Sequence, residues 1–206
     1  MDAMFTVFIV DDDAGVLKAL SRLLRAKGYE VRSYASPQEF LAAHDAAIPG
    51  CAVLDVSMPG LDGLALQELL TATACHRPVI FITGKGDIPT SVRAMRAGAV
   101  DFLTKPVSDR DLLAAIARAA EQDARLRQSH AELSTIQARI ATLTPRERQV
   151  LAHVVAGRLN KQIAGELGTV EKTIKVHRSR MMEKLGVRTV ADLVRLAEKV
   201  GISNPN

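Results

Sequence analysis

Polar side chains that could take part in chemistry follow short apolar runs at four separated points of the chain. They are Asp11 and Asp12 after TVFIV, Asp55 after CAVL, Thr83 after VIFI, and Lys105 after DFLT. Clustered carboxylates repel one another unless a cation lies among them, and a site of oxygen ligands suits Mg²⁺. A lysine beside such a site would complement an incoming phosphoryl group. These residue types therefore indicate Mg²⁺-assisted phosphoryl chemistry.

The runs before these residues predict the elements that must position them. Short, apolar and mostly β-branched runs predict strands at residues 6–10, 31–34, 51–55, 78–83 and 100–104. Apolar residues at helical spacing lie between the runs, and this alternation predicts a doubly wound α/β fold with a five-stranded parallel sheet. The carboxyl ends of such strands meet in one crevice, so we expect the acids, the hydroxyl and the ammonium to meet there.

The same residues also have ordinary structural explanations. A single aspartate after a strand is usually a turn residue or a helix cap, and we interpret Asp13 as such a cap. Thr83 alone is typical of a strand end before a glycine turn. The remaining polar residues each follow a separate strand, and as a group they are harder to assign to capping.

The charge of the chain is unevenly divided. Its 206 residues are enough for two small domains. Residues 1–140 carry 15 Lys and Arg against 17 Asp and Glu, whereas residues 141–206 carry 12 against 6. The basic carboxyl-terminal part indicates a polyanionic partner. An ordinary solvated surface is the alternative that charge alone leaves open.

The start of the chain and its cysteines exclude several classes of protein. MDAMFTVFIVDDD lacks the basic region and the long apolar core of a signal peptide, and no run approaches membrane-spanning length. We therefore predict a cytoplasmic protein without a membrane partner. Cys51 and Cys75 lack metal-ligand spacing and are expected to be reduced thiols. The five histidines form no paired set, so neither zinc nor haem is predicted.

A long helix is predicted in the middle of the chain. No glycine or proline interrupts the 38 residues between Pro106 and Pro145. The companion column of a coiled coil is broken by Gln122 and Ser129. Both a solvated connector helix and a helical dimer seam fit the segment, with the connector preferred. Its apolar residues recur every seven positions, at Leu112, Ala119, Leu126, Leu133 and Ile140.

Helix signals begin again after this segment. Thr144 is a good N-cap, Pro145 fits the first helical position, and Glu147 is the third residue of a capping box. This helix is expected to end near Gly157. A last helix is predicted in TVADLVRLAEKV.

Two further helices are predicted between these. A short helix in NKQIAGEL is capped by Asn160 and stopped by Gly168. A helix, a tight turn and a second helix form a helix-turn-helix, whose second helix enters the DNA major groove. That second helix lies in TVEKTIKVHRSRMMEKL, with buried positions predicted at Val170, Ile174, Val176, Met181 and Leu185.

The stretches DVSMPGLDG, FITGKGDIP and AMRAGAVDFLTKP resemble the receiver domains of two-component response regulators of the NarL/FixJ type. The resemblance implies a flavodoxin-like fold in which Asp55 takes a phosphoryl group from a sensor histidine kinase with the help of Mg²⁺. It also implies a set of metal ligands. These are Asp12, Asp55 and the backbone carbonyl of Ser57, with Asp11 acting through water.

The resemblance also implies contacts around the phosphoryl group. Thr83 and Lys105 would bind its oxygens, and the peptide bond after Lys105 is a candidate for the cis form. Phe102 would be an aromatic switch, although the sequence fits a plain core residue equally well. Lys85 and Val107 depart from the histidine and phenylalanine expected in the family, which affects the dimer face rather than the chemistry.

The stretches LTPRERQVL, NKQIAGELG, TIKVHRSRMMEKL and GVRTVADLV resemble the helix-turn-helix domain of LuxR-type regulators. The resemblance implies phosphate contacts by Lys161 and Lys184 and dimerisation on DNA through the final helix, around Ala191 to Leu196. A solvated face of an amphipathic helix is the ordinary alternative for the basic residues. The residues implied to face the groove or its flanks are Lys172, Thr173, Lys175, Val176, Arg178 and Ser179.

The two resemblances together predict an organisation and a function. A receiver domain is expected at residues 1–120, a helical linker at 121–141 and an all-α four-helix DNA-binding domain at 142–206. The predicted protein is a transcription factor and not a conventional enzyme, and phosphorylation promotes its dimerisation and sequence-specific DNA binding. Its expected partners are a sensor histidine kinase, double-stranded DNA and a second copy of the chain, with RNA polymerase as a further candidate.

Two other functions remain open at this point. Phosphatases of the haloacid dehalogenase type also use Mg²⁺ and an aspartate nucleophile in a DxD pattern, which residues 11–13 match. Those enzymes have Thr or Val where this chain has Gly15. A protein-interaction module without chemistry is the second alternative, and the presence of Thr83 and Lys105 argues against it. Trapping of BeF₃⁻ at Asp55 without turnover of phosphomonoesters would separate the three functions.

Overall fold

The computed structural model describes residues 5–73, 76–84 and 88–202. These residues form two compact units, the first ending at Arg127 and the second beginning at Gln128. The predictions for Cys75 and Lys85 lie outside the described residues. The domain limits expected after residues 120 and 141 stay predictions.

A five-stranded parallel sheet is formed by the described residues of the first unit, as the alternation of strands and helices predicts. Its strands lie in the order β2-β1-β3-β4-β5, which is the order of flavodoxin-like folds. The predicted strand limits agree with the observed ones to within one residue. The strands are β1 Thr6–Val10, β2 Glu30–Tyr34, β3 Gly50–Asp55, β4 Val79–Thr83 and β5 Asp101–Thr104.

Helices cover both faces of this sheet. They are α1 Ala14–Ala26, α2 Pro37–Ala43, α3 Gly63–Ala72, α4 Ile88–Arg96 and α5 Asp109–Ala141. Successive side chains of a strand point to opposite faces. Accordingly, Val7 and Ile9 of β1 pack in a cluster with α1 and α5, whereas Phe8 and Val10 pack in a cluster with α2, α3 and α4.

Asp13 caps helix α1, which confirms its predicted role. Its Oδ1 accepts hydrogen bonds from the backbone N–H of Gly15 at 2.7 Å and of Val16 at 3.2 Å. These bonds satisfy amides that the first turn of a helix leaves without partners. Asp13 therefore has a structural role, and of the two residues Asp11 is the one that can take part in the site.

Helix α5 runs without interruption for 33 residues, in agreement with the segment free of glycine and proline. Leu112, Ile116 and Ala119 are completely buried against the sheet. Further along, Ile136 packs into the apolar cluster of the second unit. The two ends of α5 thus belong to different cores, which favours the connector interpretation. None of the helices in the described ranges is both long and apolar enough to cross a membrane.

In the described part of the chain after residue 141, four helices follow the end of α5 in the second unit. They are α6 Pro145–Val155, α7 Asn160–Glu166, α8 Glu171–Leu185 and α9 Val190–Lys199. The predicted capping box begins α6, because Thr144 Oγ1 accepts from the Glu147 N–H at 3.2 Å and the Glu147 carboxylate accepts from the Thr144 N–H at 2.9 Å. Gly168 follows α7 with a φ of 62°, which confirms the predicted stop.

The predicted cap of α7 is wrong by one residue. Leu159 occupies the cap position, and Asn160 is the first helical residue. The side-chain oxygen of Gln162 accepts a hydrogen bond from the Leu159 N–H at 2.8 Å. Asn160 Oδ1 instead accepts one from Arg178 Nη1 at 3.0 Å. The asparagine therefore joins the two helices of the helix-turn-helix and does not cap the first.

Helix α8 buries one face, and two of its predicted core positions are wrong. Ile174 and Met181 are completely buried, whereas Val170 is 65% exposed and Val176 is 43% exposed. Val176 lies two residues after Ile174, a rotation of about 200° at 3.6 residues per turn. The two side chains therefore cannot share a face. Val170 occupies the N-cap position, before the helix begins.

Candidate functional site

The pairing of the strands brings the predicted site residues to one edge of the sheet. The parallel register of β1 with β3 places Asp11 beside Asp55. The registers of β4 with β3 and with β5 place Thr83 and Lys105 at the same edge. The crevice predicted from the sequence is therefore present, and it has acidic and basic groups side by side.

A lysine joins two buried carboxylates in this crevice. Lys105 Nζ lies 2.7 Å from Asp11 Oδ2 and 2.9 Å from Asp55 Oδ1. Both aspartates are buried, whereas the lysine reaches solvent in part. Two neighbouring carboxylates can be buried together because the ammonium is both their counterion and their hydrogen-bond donor.

Burial and ion pairing act in opposite directions on these groups. Burial raises the pKa of the Asp11 carboxyl, and the hydrogen bond from Lys105 offsets this only in part. Burial also lowers the pKa of the Lys105 ammonium, but the hydrogen bonds and charges of Asp11 and Asp55 outweigh it, so that the pKa is raised. The lysine is therefore held in its charged form.

Backbone amides hold the second oxygen of each carboxylate. The Ser57 N–H donates to Asp55 Oδ2 at 2.9 Å, and the Asp13 N–H donates to Asp11 Oδ1 at 2.9 Å. Gly63, at the start of α3, lies against the same strand end. A Cβ at this position would lie 2.3 Å from the Asp55 carbonyl oxygen, so only glycine allows α3 to begin there. Both carboxylates are consequently fixed in orientation.

The acidic residues offer oxygen ligands to a cation, although not all of them converge. Asp11 and Asp55 both contact the Lys105 ammonium, so two carboxylates lie at the same point of the crevice. Asp12 is exposed beside them. Across the residues that the structure describes, no three histidine, cysteine or acidic side chains are arranged to hold a metal. The donor chemistry fits Mg²⁺, while the ligand roles of Asp12 and the Ser57 carbonyl stay predictions.

Thr83 and Phe102, the predicted switch residues, belong to the neighbouring strands β4 and β5. Thr83 is completely buried, and its backbone oxygen accepts a hydrogen bond from the Lys105 N–H at 2.7 Å. Phe102 is half-buried, and its ring centroid lies 6.3 Å from that of Phe81. Phe102 is therefore in part a core residue, and its switch role stays a prediction. The peptide bond between Lys105 and Pro106 is cis.

A second candidate site covers the exposed face of α8. Lys172, Lys175, Val176 and Ser179 are exposed and recur at helical spacing on the side opposite the buried Met181. A helix in the major groove reads base edges with polar side chains and thymine methyl groups with apolar ones. The exposed face of α8 offers both kinds of side chain.

The other residues predicted to contact DNA differ in their surroundings. Lys161 is exposed at the start of α7, and Thr173 is half-buried. Arg178 donates to the side-chain oxygen of the first residue of α7. Lys184 Nζ lies 2.6 Å from Oε2 of the buried Glu147. Arg178 and Lys184 therefore have roles in the fold that their sequence positions do not indicate.

Two parts of the chain match known protein families. Residues 7–117 match the response regulator receiver domain. Residues 141–197 match the bacterial regulatory proteins of the luxR family. The chain belongs to the response regulators.

Relatives of this response regulator agree with it along nearly the whole chain. Nodulation protein W of Bradyrhizobium diazoefficiens is 44% identical over 197 residues, which cover 96% of this chain and 87% of the relative. The transcriptional regulatory protein FixJ of the same organism is 41% identical over 198 residues, covering 96% and 97%. The solved low-resolution structure of the response regulator StyR has a TM-score of 0.83 at 47% identity, and the match covers 96% of this chain and 100% of that one.

The family establishes the general role of this response regulator. It is a transcription factor with a receiver domain and a LuxR-type DNA-binding domain, and it is not a conventional enzyme. A receiver domain implies a histidine kinase as partner, and a LuxR-type domain implies DNA. The phosphatase considered from the sequence is thereby excluded.

Several residues that shape the sites of this response regulator are missed by sequence reasoning. The pair Asp62-Gly63 signals a helix start, but it does not indicate that the glycine lies against the backbone of Asp55. Glu147 is predicted as part of a capping box, and its second partner Lys184 is 37 residues away. A local pattern identifies a cap, but it carries no information about a partner on a distant helix.

Proposed function

We propose that phosphorylation of Asp55 switches this response regulator on. A sensor histidine kinase would supply the phosphoryl group with the help of Mg²⁺, and the product would dimerise and bind double-stranded DNA sequence-specifically. The observation that carries the proposal is the buried Asp55 carboxylate, held between the Lys105 ammonium and the Ser57 amide at the carboxyl edge of the sheet. We place this function in the cytoplasm, where the kinase and the chromosome would both be reached.

Asp55 is the nucleophile in this proposal. A carboxylate oxygen attacks phosphorus, the bond between phosphorus and the kinase histidine breaks, and its electron pair returns to the imidazole nitrogen. An ionised carboxylate has no proton to lose, so the site needs no general base. The Ser57 N–H keeps the carboxylate in place during the attack.

The Lys105 ammonium would move from the carboxylates to the negatively charged phosphoryl group. Its ammonium lies between Asp11 and Asp55, and it can turn to a phosphoryl oxygen once Asp55 carries the phosphoryl group. Asp11, Asp12, Asp55 and the Ser57 carbonyl would hold Mg²⁺, which when bound neutralises phosphoryl oxygens. Lys105 and the acidic residues would then share the charge of the transferred group.

Thr83 and Phe102 would convert this local change into a change of surface. The Thr83 hydroxyl would bind a phosphoryl oxygen, and the space that it leaves would admit the Phe102 ring. A half-buried ring beside Phe81 supports this, because such a ring needs only a small shift to become buried. A two-state packing of this kind can select between two surfaces for pairing with a second copy.

The second unit would carry out DNA recognition. The exposed face of α8 would enter the major groove, and Lys161 would meet a phosphate. Helix α9, around Ala191 to Leu196, would pair with its copy on DNA. Two linked domains on one duplex bind more tightly because the second binds at a high effective concentration. RNA polymerase is a further candidate partner of the bound dimer.

Replacing Asp55 tests the chemistry. Asp55→Asn is expected to abolish acyl-phosphate formation, because an amide is a much poorer nucleophile than a carboxylate. Each protein is incubated with acetyl phosphate and Mg²⁺, and its intact mass is measured. Asp62→Asn is the matched control, because Asp62 caps α3 through a 2.7 Å hydrogen bond from the Ala65 N–H and asparagine is an equally good cap. The control is expected to form the full adduct.

A full adduct on Asp55→Asn would remove Asp55 from its proposed role. Asp12→Ala is expected to form the adduct slowly and to bind Mg²⁺ more weakly, since it would lose one oxygen ligand. Mg²⁺-dependent binding of BeF₃⁻ by the wild-type protein, without hydrolysis of phosphomonoesters, would agree with a receiver. Failure to bind BeF₃⁻ would favour an interaction module without chemistry.

A further inference from the structure

The last two turns of α5 in the first unit are held by polar contacts. Ala119 is the last completely buried apolar residue of α5 in that unit, and the next buried residue is Asp123. Leu126 is only half-buried. A carboxylate is rarely buried unless it is paired. The attachment of residues 120–127 to the first unit therefore depends on the residue that pairs with Asp123.

Arg127 is that partner, and it binds a distant loop at the same time. Its Nε donates to Asp123 Oδ2 at 2.8 Å. Its Nη1 donates to the Ala47 oxygen at 3.0 Å, and its Nη2 donates to the oxygens of Ala46 at 3.1 Å and Ile48 at 2.7 Å. A guanidinium group can make these bonds together because its five donors lie in a fixed plane. The loop between α2 and β3 is thereby attached to α5.

A second arginine of the first unit, Arg77, also binds this loop. Arg77 Nη2 donates to the oxygens of Asp45 at 2.7 Å and Ile48 at 3.1 Å, and its Nε donates to His44 Nε2 at 3.0 Å. Its guanidinium carbon lies 4.2 Å from the centroid of the Phe8 ring. The Ile48 oxygen thus accepts hydrogen bonds from both arginines. The loop is a preformed acceptor for Arg127, since Arg77 already fixes its backbone.

We propose that Arg127, Asp123 and the backbone oxygens of residues 46–48 form a clamp that fastens α5 to the receiver. Arg127 is the last residue of the first unit, and α5 continues beyond it into the second. A rearrangement in the receiver reaches the rest of α5 only while this segment is attached. Through the clamp, the rearrangement that phosphorylation causes in the receiver therefore reaches the DNA-binding unit. This inference rests on the proposed function.

The clamp is tested in the full-length protein with Arg127→Ala and Arg127→Lys. Lysine keeps the charge but lacks the planar donors, so both variants are expected to lose the clamp. Arg125→Ala is the matched control on the same helix, because its side chain is 71% exposed and its Nη1 lies 3.9 Å from Glu121 Oε2. Hydrogen exchange of the amides of residues 120–127 is measured, together with affinity for a duplex selected in vitro with the BeF₃⁻-treated wild-type protein, termed the selected duplex.

Exchange in residues 120–127 is expected to be at least about tenfold faster in both Arg127 variants, because the loss of charged hydrogen bonds lowers the free energy of local opening. The rise in DNA affinity on addition of BeF₃⁻ and Mg²⁺ is expected to be lost as well. Binding of BeF₃⁻ itself and exchange in β1 and β3 should match the wild type. Arg125→Ala should match the wild type in every measurement.

Three outcomes would overturn the inference in distinguishable ways. Unchanged exchange in Arg127→Ala and Arg127→Lys would show that no clamp holds the helix. Faster exchange with a full response of DNA affinity to BeF₃⁻ would remove its role in transmission. No response of DNA affinity in the wild type would overturn the proposed function and the transmitting role, while exchange would still decide whether the clamp holds α5. If Arg127→Ala does not fold, Arg127→Lys decides each of these points.

Discussion

At the scale of single residues, Lys105 is the side chain on which the receiver site depends. Its ammonium is shared between Asp11 and Asp55, and each carboxylate also accepts a backbone N–H. The sequence predicts the members of this group, because residues after parallel strands must meet at one edge. It does not predict that Lys105 pairs with both aspartates, because the strand order fixes where each residue lies along the edge and not which way its side chain points.

Lys184 has a partner within the fold that the sequence does not indicate. Its resemblance to a LuxR-type residue predicts a phosphate contact, and that role stays a prediction. In the structure its ammonium pairs with Glu147, whose carboxylate also accepts the Thr144 N–H. Loss of the lysine would leave this carboxylate buried without a cation. A substitution at this position is therefore a test of stability before it is a test of DNA binding.

Lys184→Met is expected to lower the free energy of unfolding of the second unit by about 2 kcal/mol. This is less than the loss of about 3–5 kcal/mol for one partner of a fully buried pair, because the lysine side chain is 35% exposed. Urea unfolding followed by circular dichroism measures the change. Glu147→Gln combined with Lys184→Met is the control, since it removes both charges. A double variant less stable than Lys184→Met would contradict this explanation.

The same pair predicts a dependence of stability on pH. The hydrogen bond from Lys184 and the one from the Thr144 N–H hold the pKa of Glu147 below its ordinary value. A carboxyl whose folded pKa is lowered stabilises the protein above its unfolded pKa of about 4.3, and this contribution is lost as the pH falls through the folded pKa. Urea unfolding at several pH values should show a smaller acid-induced loss in Glu147→Gln than in the wild type. An equal acid-induced loss of the free energy of unfolding in Glu147→Gln and in the wild type would argue against a stabilising pair of Glu147 and Lys184.

At the scale of elements, the sequence predicts local features well and distant partners poorly. Asp13 is correctly predicted as a cap because the backbone N–H groups that donate to its carboxylate, those of Gly15 and Val16, lie within three residues of it. Val170 and Val176 are wrongly assigned to the core, because apolar character alone does not show that Val170 precedes the helix or that Val176 lies about 200° around it from Ile174. The contacts of Arg127 join residues 79–81 positions apart. The periodicity of α5 defines its faces, and it contains no information about which loop packs against them.

Two lysines of the helix-turn-helix should have separable effects on DNA binding. Lys175→Ala is expected to weaken binding to the selected duplex by about 1–3 kcal/mol and to leave binding to random DNA nearly unchanged, because it would remove a base contact. Lys161→Ala is expected to weaken binding to both and to reduce the slope of log affinity against log salt by about one, as one phosphate contact predicts. Fluorescence anisotropy at several salt concentrations measures both effects.

Loss of the ion pair between Lys175 and Glu171 would change helix stability too little to explain the expected loss of DNA affinity. Lys175 Nζ lies 3.1 Å from Glu171 Oε1, but both side chains are largely exposed, and such pairs contribute only about 0.3–0.5 kcal/mol. Equal losses on the selected duplex and on random DNA for Lys175→Ala would rule out base readout by this residue.

At the scale of the whole molecule, α5 belongs to both units. Leu112 and Ala119 are buried in the core of the first unit, and Ile140 packs against the cluster of the second. Leu126 and Leu133 are half-buried. The apolar column that suggested a helical dimer seam is thus largely occupied by packing within one chain. Dimerisation on phosphorylation should therefore depend mainly on the receiver surface.

The central claim is that phosphorylation of Asp55 brings two copies together and thereby tightens DNA binding. Sedimentation velocity of the full chain, with and without BeF₃⁻ and Mg²⁺ and with and without the selected duplex, tests this most directly. BeF₃⁻ should shift the protein from monomer to dimer and raise DNA affinity over the same concentration range, and Thr83→Ala should show neither change. A rise in DNA affinity while the protein stays monomeric both free and on DNA would contradict the claim.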